Sequence, residues 1–208
     1  MSYFGLTGGV ASGKSTAARM FEKLGAKIID ADRVGHEFLL PSSPAFSEIV
    51  RRFGREILTP EGEISRERLG AIVFADQEKL RALDSIIHPR IIAKVEEMAS
   101  TISSKNPRAV ILVDAALIFE AGIGGRFQKV IVTWCRPEQQ IERLMHKGLT
   151  RQQAQERLAA QIPAEEKRRR ADFVIDSSGS LENTRIQVET IYAALRQLTA
   201  ASAKNSGA

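Results

Sequence analysis

A chain of 208 residues has room for one domain carrying an inserted subdomain, but hardly for two independent cores. With 43% hydrophobic residues and Lys+Arg 30 against Asp+Glu 25, a balance of +5, it is no disordered chain; no apolar run nears the roughly 20 residues that cross a bilayer. The single Cys135 excludes an internal disulfide, no secretory leader is visible, and the reading is a cytoplasmic protein whose basic balance suits anionic partners, nucleotides or nucleic acid alike.

Taken in chain order, Tyr3–Thr7 is a short apolar run ending at Gly8-Gly9, which predicts a buried strand delivering the chain to a tight turn. Lys14 to Leu24 places Ala17, Met20, Phe21 and Leu24 at helical spacing, and Gly25 stands where the helix stops. Lys27–Asp30 reads as the next strand, parallel to the first through a right-handed crossover. From there to Ala109 the pattern is helical. Ser65 predicts an N-cap for a helix through Phe74, and Pro89 falls in the first turn of a helix through Ile91, Ile92, Val95 and Met98. Ala109–Asp114, Lys129–Trp134 and Phe173–Asp176 are further strands, apolar on both faces as in a sheet covered by helices. Pro137 to Ala171 is helical again, with a capping box at Thr150–Gln153 and few large apolar groups, as in a mobile lid. The last helix carries a stripe of Leu181, Val188, Ile191, Leu195 and Leu198, and 200–208 reads as a disordered tail.

The fold class is therefore α/β, a doubly wound parallel sheet flanked by helices. Residues 1–30, 109–136 and 171–199 form the core, 31–108 a helical substrate-binding subdomain and 137–170 a lid.

Gly8-Gly9-Val10-Ala11-Ser12-Gly13-Lys14-Ser15 matches G-x-x-x-x-G-K-[ST] at every fixed position and lies between a predicted strand and a predicted helix. Gly8 and Gly13 permit backbone angles that turn consecutive amides toward phosphate oxygens. The helix starting at Lys14 adds its positive end, Lys14 reaches the β- and γ-phosphates, and the Ser15 hydroxyl serves Mg²⁺. The guanine-reading Asn-Lys-x-Asp occurs nowhere, and Asp32-Arg33-Val34-Gly35 reads as a coincidental Asp-x-x-Gly, so a GTP switch is disfavoured.

Asp30-Ala31-Asp32 falls at the carboxyl end of a strand expected beside the phosphate-loop strand, where ligands of open sheets bind. Asp32 has two readings: a base for an attacking hydroxyl, or an N-cap of the helix through His36 and Leu39. Asp114 likewise is a metal-supporting acid or a cap. Arg136, Arg143, Lys147, Arg151, Arg157, Lys167, Arg168, Arg169 and Arg170 concentrate in the second helical stretch. Each alone reads as a solvated face, and Arg143, just after a strand, is the best placed to meet phosphate. No aromatic lies between Trp134 and Phe173, which argues against a nucleic-acid surface there. Cys135 reads as a small buried group.

The chain resembles the dephospho-coenzyme A kinase family over about residues 3 to 195. The likeness rests on Leu6-Thr7-Gly8-Gly9 entering the loop, Ile29-Asp30-Ala31-Asp32, Gly70-Ala71-Ile72-Val73-Phe74 and Ile87-His88-Pro89. It continues through Ala116-Leu117-Ile118-Phe119-Glu120, Pro137 to Leu144, Ala160-Gln161 and Ala171 to Asp176. The resemblance implies a P-loop kinase-type sheet and ATP-dependent phosphorylation of the ribose 3′-hydroxyl of dephospho-coenzyme A. It implies Asp32 as catalytic base, Arg143 as a cation on the phosphates, and 11–16 (Ala11, Ser12, Gly13, Lys14, Ser15 and Thr16) as ATP-binding; Mg²⁺ is the cofactor that the loop serine, Ser15, already calls for. Its partners would be these small molecules, with no nucleic acid, membrane or obligate protein partner. The chain departs from the family at Ala115-Ala116, where a proline is usual, at Lys147, the nearest cation where a further arginine is usual, and at Ser177, in place of a common asparagine. The alternatives are another nucleoside or nucleotide kinase with the same loop and lid, and a non-enzymatic ATP- or RNA-binding regulator.

Overall fold

The computed structural model describes residues 2–205. Five strands, β1 (Phe4–Gly8), β2 (Lys27–Asp30), β3 (Ile111–Asp114), β4 (Val130–Trp134) and β5 (Phe173–Asp176), form one sheet in the order β2-β3-β1-β4-β5. β1 pairs in parallel with β3 on one side and β4 on the other, with Leu6 opposite Asp114 and Ile131, and β4 continues in parallel to β5. The parallel sheet flanked by helices is as the sequence predicts.

The sheet order corrects one expectation: β2 neighbours β3, not the phosphate-loop strand. Composition explains it. All four residues of β3 are buried, whereas β2, Lys-Ile-Ile-Asp, buries only Ile29 and exposes a charge at each end. The strand buried along its whole length takes the inner position and the one whose charged ends are exposed takes the edge.

By internal packing the chain divides into two units, one running up to Ile29 and resuming at Ala99, the other Asp30–Met98. In the first, helix α1 (Lys14–Lys23) and the last helix cover the same face of the sheet. Ala17, Ala18 and Phe21 meet Val188, Ile191 and Leu195 over Phe4, Leu6, Leu112, Ile131 and Ile175. Each buried Leu, Ile or Phe there contributes about 1.5–3 kcal/mol of transfer free energy.

The second unit holds α2 (Ala31–Glu37), α3 (Phe46–Phe53), α4 (Arg66–Phe74) and most of α5 (Gln77–Lys105). Ile49, Phe53, Ile57, Leu69, Val73 and Ile86 make its core. Ser65 caps α4 as predicted, its hydroxyl accepting from the Arg68 amide at 3.3 Å. Pro89 does not open a helix; it lies inside α5. The lost amide costs a hydrogen bond there, about 3 kcal/mol in a helix interior. The neighbouring Ile86 carbonyl takes a 2.5 Å bond from the Arg90 guanidinium, itself 2.7 Å from Glu48. The Asp-x-x-Gly match is explained by packing: a Cβ at Gly35 would fall 3.1 Å from Ile91 Cδ1.

Residues 137–170 belong to the first unit and form α6 (Pro137–Met145), α7 (Arg151–Ala159) and α8 (Ala164–Arg169). Thr150 and Gln153 make the predicted capping box, at 2.9 and 3.2 Å. Lys167, read from sequence as one of a solvated set, is wholly buried. The last helix, α9 (Leu181–Asn205), runs past the expected end of order at residue 199. Ala200, Ala201 and Ala203 are strong helix formers, and no glycine interrupts before 207, so 200–205 are helical; 206–208 lie outside the described residues. Leu181 leaves the predicted apolar stripe, being 69% exposed while Val188 and Leu195 are buried.

Candidate active site

β1 hands the chain to the loop 9–13 and α1 takes it up at Lys14. The two glycines of the motif have different tasks. Gly13 adopts φ +94, a left-handed backbone that side chains rarely tolerate. Gly8 has no such angle; a Cβ there would fall 2.2 Å from Thr133 Oγ1 and 2.6 Å from the Thr133 carbonyl, so it is close approach that requires glycine. Ala11 also takes a left-handed φ of 56 despite its side chain, a conformation that costs roughly 1–2 kcal/mol.

Side chains around the loop hold that conformation by its carbonyls. Gln140 Nε2 donates to the Val10 carbonyl at 2.6 Å, Arg143 Nη1 to Ala11 at 3.1 Å, and the Ser177 hydroxyl to Ser12 at 2.7 Å. Gln161 Oε1 accepts from the Val10 amide at 3.0 Å. The Ser12 and Thr133 hydroxyls share a 2.7 Å bond, and Thr133 donates on to the Thr7 carbonyl at 3.3 Å. With its carbonyls tied back, the loop presents amides, and the first amides of α1 lack intrahelical acceptors. A cavity of about 800 Å³ opens over them, bounded by the loop and by Arg19, Ala116, His146, Lys147 and Leu181 among others. A concave site with cationic walls at a helix N-terminus has the chemistry to bind a polyphosphate.

Of the predicted site residues, Gly8, Ala11, Ser12, Gly13, Lys14, Ser15 and Thr16 line this cavity together with Arg143. The Lys14 ammonium is ion-paired with Asp114 at the end of β3, both side chains being less than a fifth exposed. Arg143 is engaged on the protein side: besides Ala11 it donates through Nη2 to the Ser177 carbonyl at 2.6 Å and through Nη1 to the Ser177 hydroxyl at 3.1 Å. It braces two loops while charging the cavity wall. Cys135 is buried beside it, and burial pushes its thiol pKa up against the opposing charge of Arg143.

Asp32 lies in the second unit, exposed in the first turn of α2. The capping role weighed for it belongs to Asp30, whose Oδ1 accepts the Arg33 amide at 2.9 Å.

The oxygens that a Mg²⁺ ion could use here are hard ones, the Ser15 hydroxyl in the cavity wall and the Asp114 carboxylate. No cluster of three or more His, Cys, Asp or Glu that could hold a metal occurs among the described residues. This sparse set fits a cation that keeps several waters and takes other ligands from phosphates, which is how magnesium binds.

Sequence reasoning did not find Gln140, Thr133 or Leu181. A signal existed for Thr133, like Thr7 a hydroxyl at the carboxyl end of an otherwise apolar strand; Gln140 and Leu181 carry none.

The family model for dephospho-CoA kinase matches residues 2–183. A dephospho-CoA kinase of Carboxydothermus hydrogenoformans is 44% identical over 188 residues, covering 90% of this chain and 91% of the relative. Among solved structures, TT1252 from Thermus thermophilus superposes with TM-score 0.81 at 30% identity, covering 93% of this chain and 97% of that one. Dephospho-CoA kinase from Campylobacter jejuni superposes with TM-score 0.69 at 31% identity, covering 94% and 97%.

Proposed function

The chain belongs to the dephospho-CoA kinase family, and from that premise we propose the part each residue plays in the last step of coenzyme A synthesis. The loop 9–13 and the first turn of α1 hold the triphosphate of ATP. Asp32 accepts the proton of the ribose 3′-hydroxyl of dephospho-coenzyme A. The freed oxygen bonds to the γ-phosphorus as the bond to the β–γ bridging oxygen breaks, and ADP leaves. Lys14, drawn from Asp114 toward the phosphates, meets the charge that gathers on the transferring group. Arg143 keeps the loop in shape and adds positive potential. Ser15 and Asp114 would hold Mg²⁺, which would supply positive charge against the phosphates.

The second unit, Asp30–Met98, carries the acceptor, and residues 137–170 form the lid. The site of action is the cytoplasm, where both substrates are soluble; among the described residues no helix is long and apolar enough to cross a membrane.

The observation that carries this reading is that the carbonyls of Val10, Ala11 and Ser12 are each held by a side chain of the protein, which leaves the Ala11 and Gly13 amides and the first turn of α1 to meet an anion. ADP release measured with dephospho-coenzyme A, AMP, UMP and cytidine as acceptors tests it. Turnover with dephospho-coenzyme A far above the others is expected; equal or greater turnover with a nucleoside or nucleotide acceptor overturns the assignment.

A further inference from the structure

Lys167 of α8 is the largest polar side chain that the first unit buries completely. Its ammonium lies 2.6 Å from Glu120 Oε1 and 3.3 Å from the Ala116 carbonyl. Both acceptors are shared. Glu120 Oε1 also takes the Ile162 amide at 3.2 Å, and the Ala116 carbonyl also takes the Thr7 hydroxyl at 3.1 Å. One buried cation therefore joins three segments. They are the end of β1 just before Gly8, the turn 115–120 that follows Asp114, and the return limb of the lid from Ile162 to Lys167.

Burying a charge pair is costly, and an apolar pair of similar volume is often no less stable. Stability alone is thus a weak account of Lys167. Its place supplies another: Ala116 is two residues from Asp114, lines the phosphate cavity, and is tied through Thr7 to the strand that delivers the loop. Any shift of the turn 115–120 would carry Asp114, and with it the partner of Lys14.

We propose that Lys167 is a positioning residue for phosphoryl transfer, fixing the main chain from Asp114 to Glu120 against the phosphate loop. This rests on the kinase reading above. Its signature is a loss in the chemical step with little loss in binding, because the loop that grips ATP keeps the donors that hold its carbonyls, Gln140, Arg143 and Ser177.

The test compares Lys167→Met and Glu120→Gln with the wild type in steady-state ADP release with dephospho-coenzyme A, beside far-UV circular dichroism and thermal melts. Both variants are expected to lose about tenfold or more in kcat, with KM for ATP within about twofold. The double variant Lys167→Met/Glu120→Gln should lose little more than either alone, since both act through one contact. Folded Lys167→Met protein with unchanged kcat, or with its loss confined to KM, overturns the proposal. If Lys167→Met does not fold, Glu120→Gln decides, and wild-type kcat in that variant overturns it too. Wild-type protein that fails to phosphorylate dephospho-coenzyme A overturns the kinase reading first, a result distinct from either variant outcome.

Discussion

The ammonium of Lys14 is paired with the carboxylate of Asp114, across the gap between α1 and the end of β3. The lysine that would grip phosphate and the acid that would support the metal are thus each other's partner. Removing either leaves a charge with little water around it.

Asp114→Asn is accordingly expected to raise the Mg²⁺ concentration for half-maximal activity about tenfold or more, the usual scale for loss of a group supporting a metal. A magnesium titration at saturating ATP measures this. An unchanged magnesium requirement removes Asp114 from the metal's surroundings.

Two aspartates two residues apart should separate cleanly. Asp32→Asn is expected to lower kcat by about 10²–10⁴ with ATP affinity kept, as for loss of a general base. Asp30→Ala removes the cap of α2 and should cost about 1 kcal/mol of stability, with activity at low temperature largely retained. Titration calorimetry with ATP, turnover and thermal melts on both variants distinguish the two. Near-normal turnover in Asp32→Asn would take that residue out of the chemistry.

Gly8→Ala should destabilise by about 1–3 kcal/mol through overpacking and weaken ATP binding. Thr133→Ala in the same chain should not restore it, because the Thr133 carbonyl, 2.6 Å from the added Cβ, remains. Full rescue by Thr133→Ala would mean that only the hydroxyl stands in the way.

Asp172 sets part of the response to acid. Burial pushes its carboxyl pKa up, but the Lys129 ammonium at 2.8 Å and the Val130 amide at 2.8 Å outweigh burial and hold it below the ordinary value. A carboxylate held below its unfolded pKa stabilises the fold above that value, about 3.9, and the contribution is lost as pH falls through the folded value. Because the pair is partly exposed, the amount is below about 1 kcal/mol. Urea melts of Asp172→Asn between pH 5 and pH 2 should show a shallower acid decline than the wild type; a parallel decline contradicts this.

The strands, the phosphate loop and the caps at Ser65 and Thr150 were legible because each is fixed by neighbours in sequence: a run of apolar residues, a glycine spacing, a hydroxyl three residues before an amide. The neighbour of β1 was not legible by that route. Strand order is decided by which strand can be buried on both faces, and the charged ends of β2 were the clue that it belongs at the edge. Pro89 misled because a local rule places proline at helix starts, while the length of α5 is maintained by packing on both sides of it. Lys167 misled for a related reason. Its sequence neighbours Arg168, Arg169 and Arg170 are solvent-facing charges, and nothing local marks the one whose partner is Glu120. Asp32 was legible as a candidate, whereas the cap at Asp30 needed coordinates to separate two carboxylates in one turn.

Val10 is held at both ends of its polar backbone, the carbonyl by Gln140 of α6 and the amide by Gln161 just after α7. A single valine thereby connects the loop to α6 and to the chain just after α7. Thermodynamic linkage makes that connection two-way: whatever ATP does to the conformational freedom of Val10 must be repaid in kind by the 137–163 hairpin. Nucleotide affinity is therefore inherited in part from Gln140, a side chain outside the lining of the phosphate cavity.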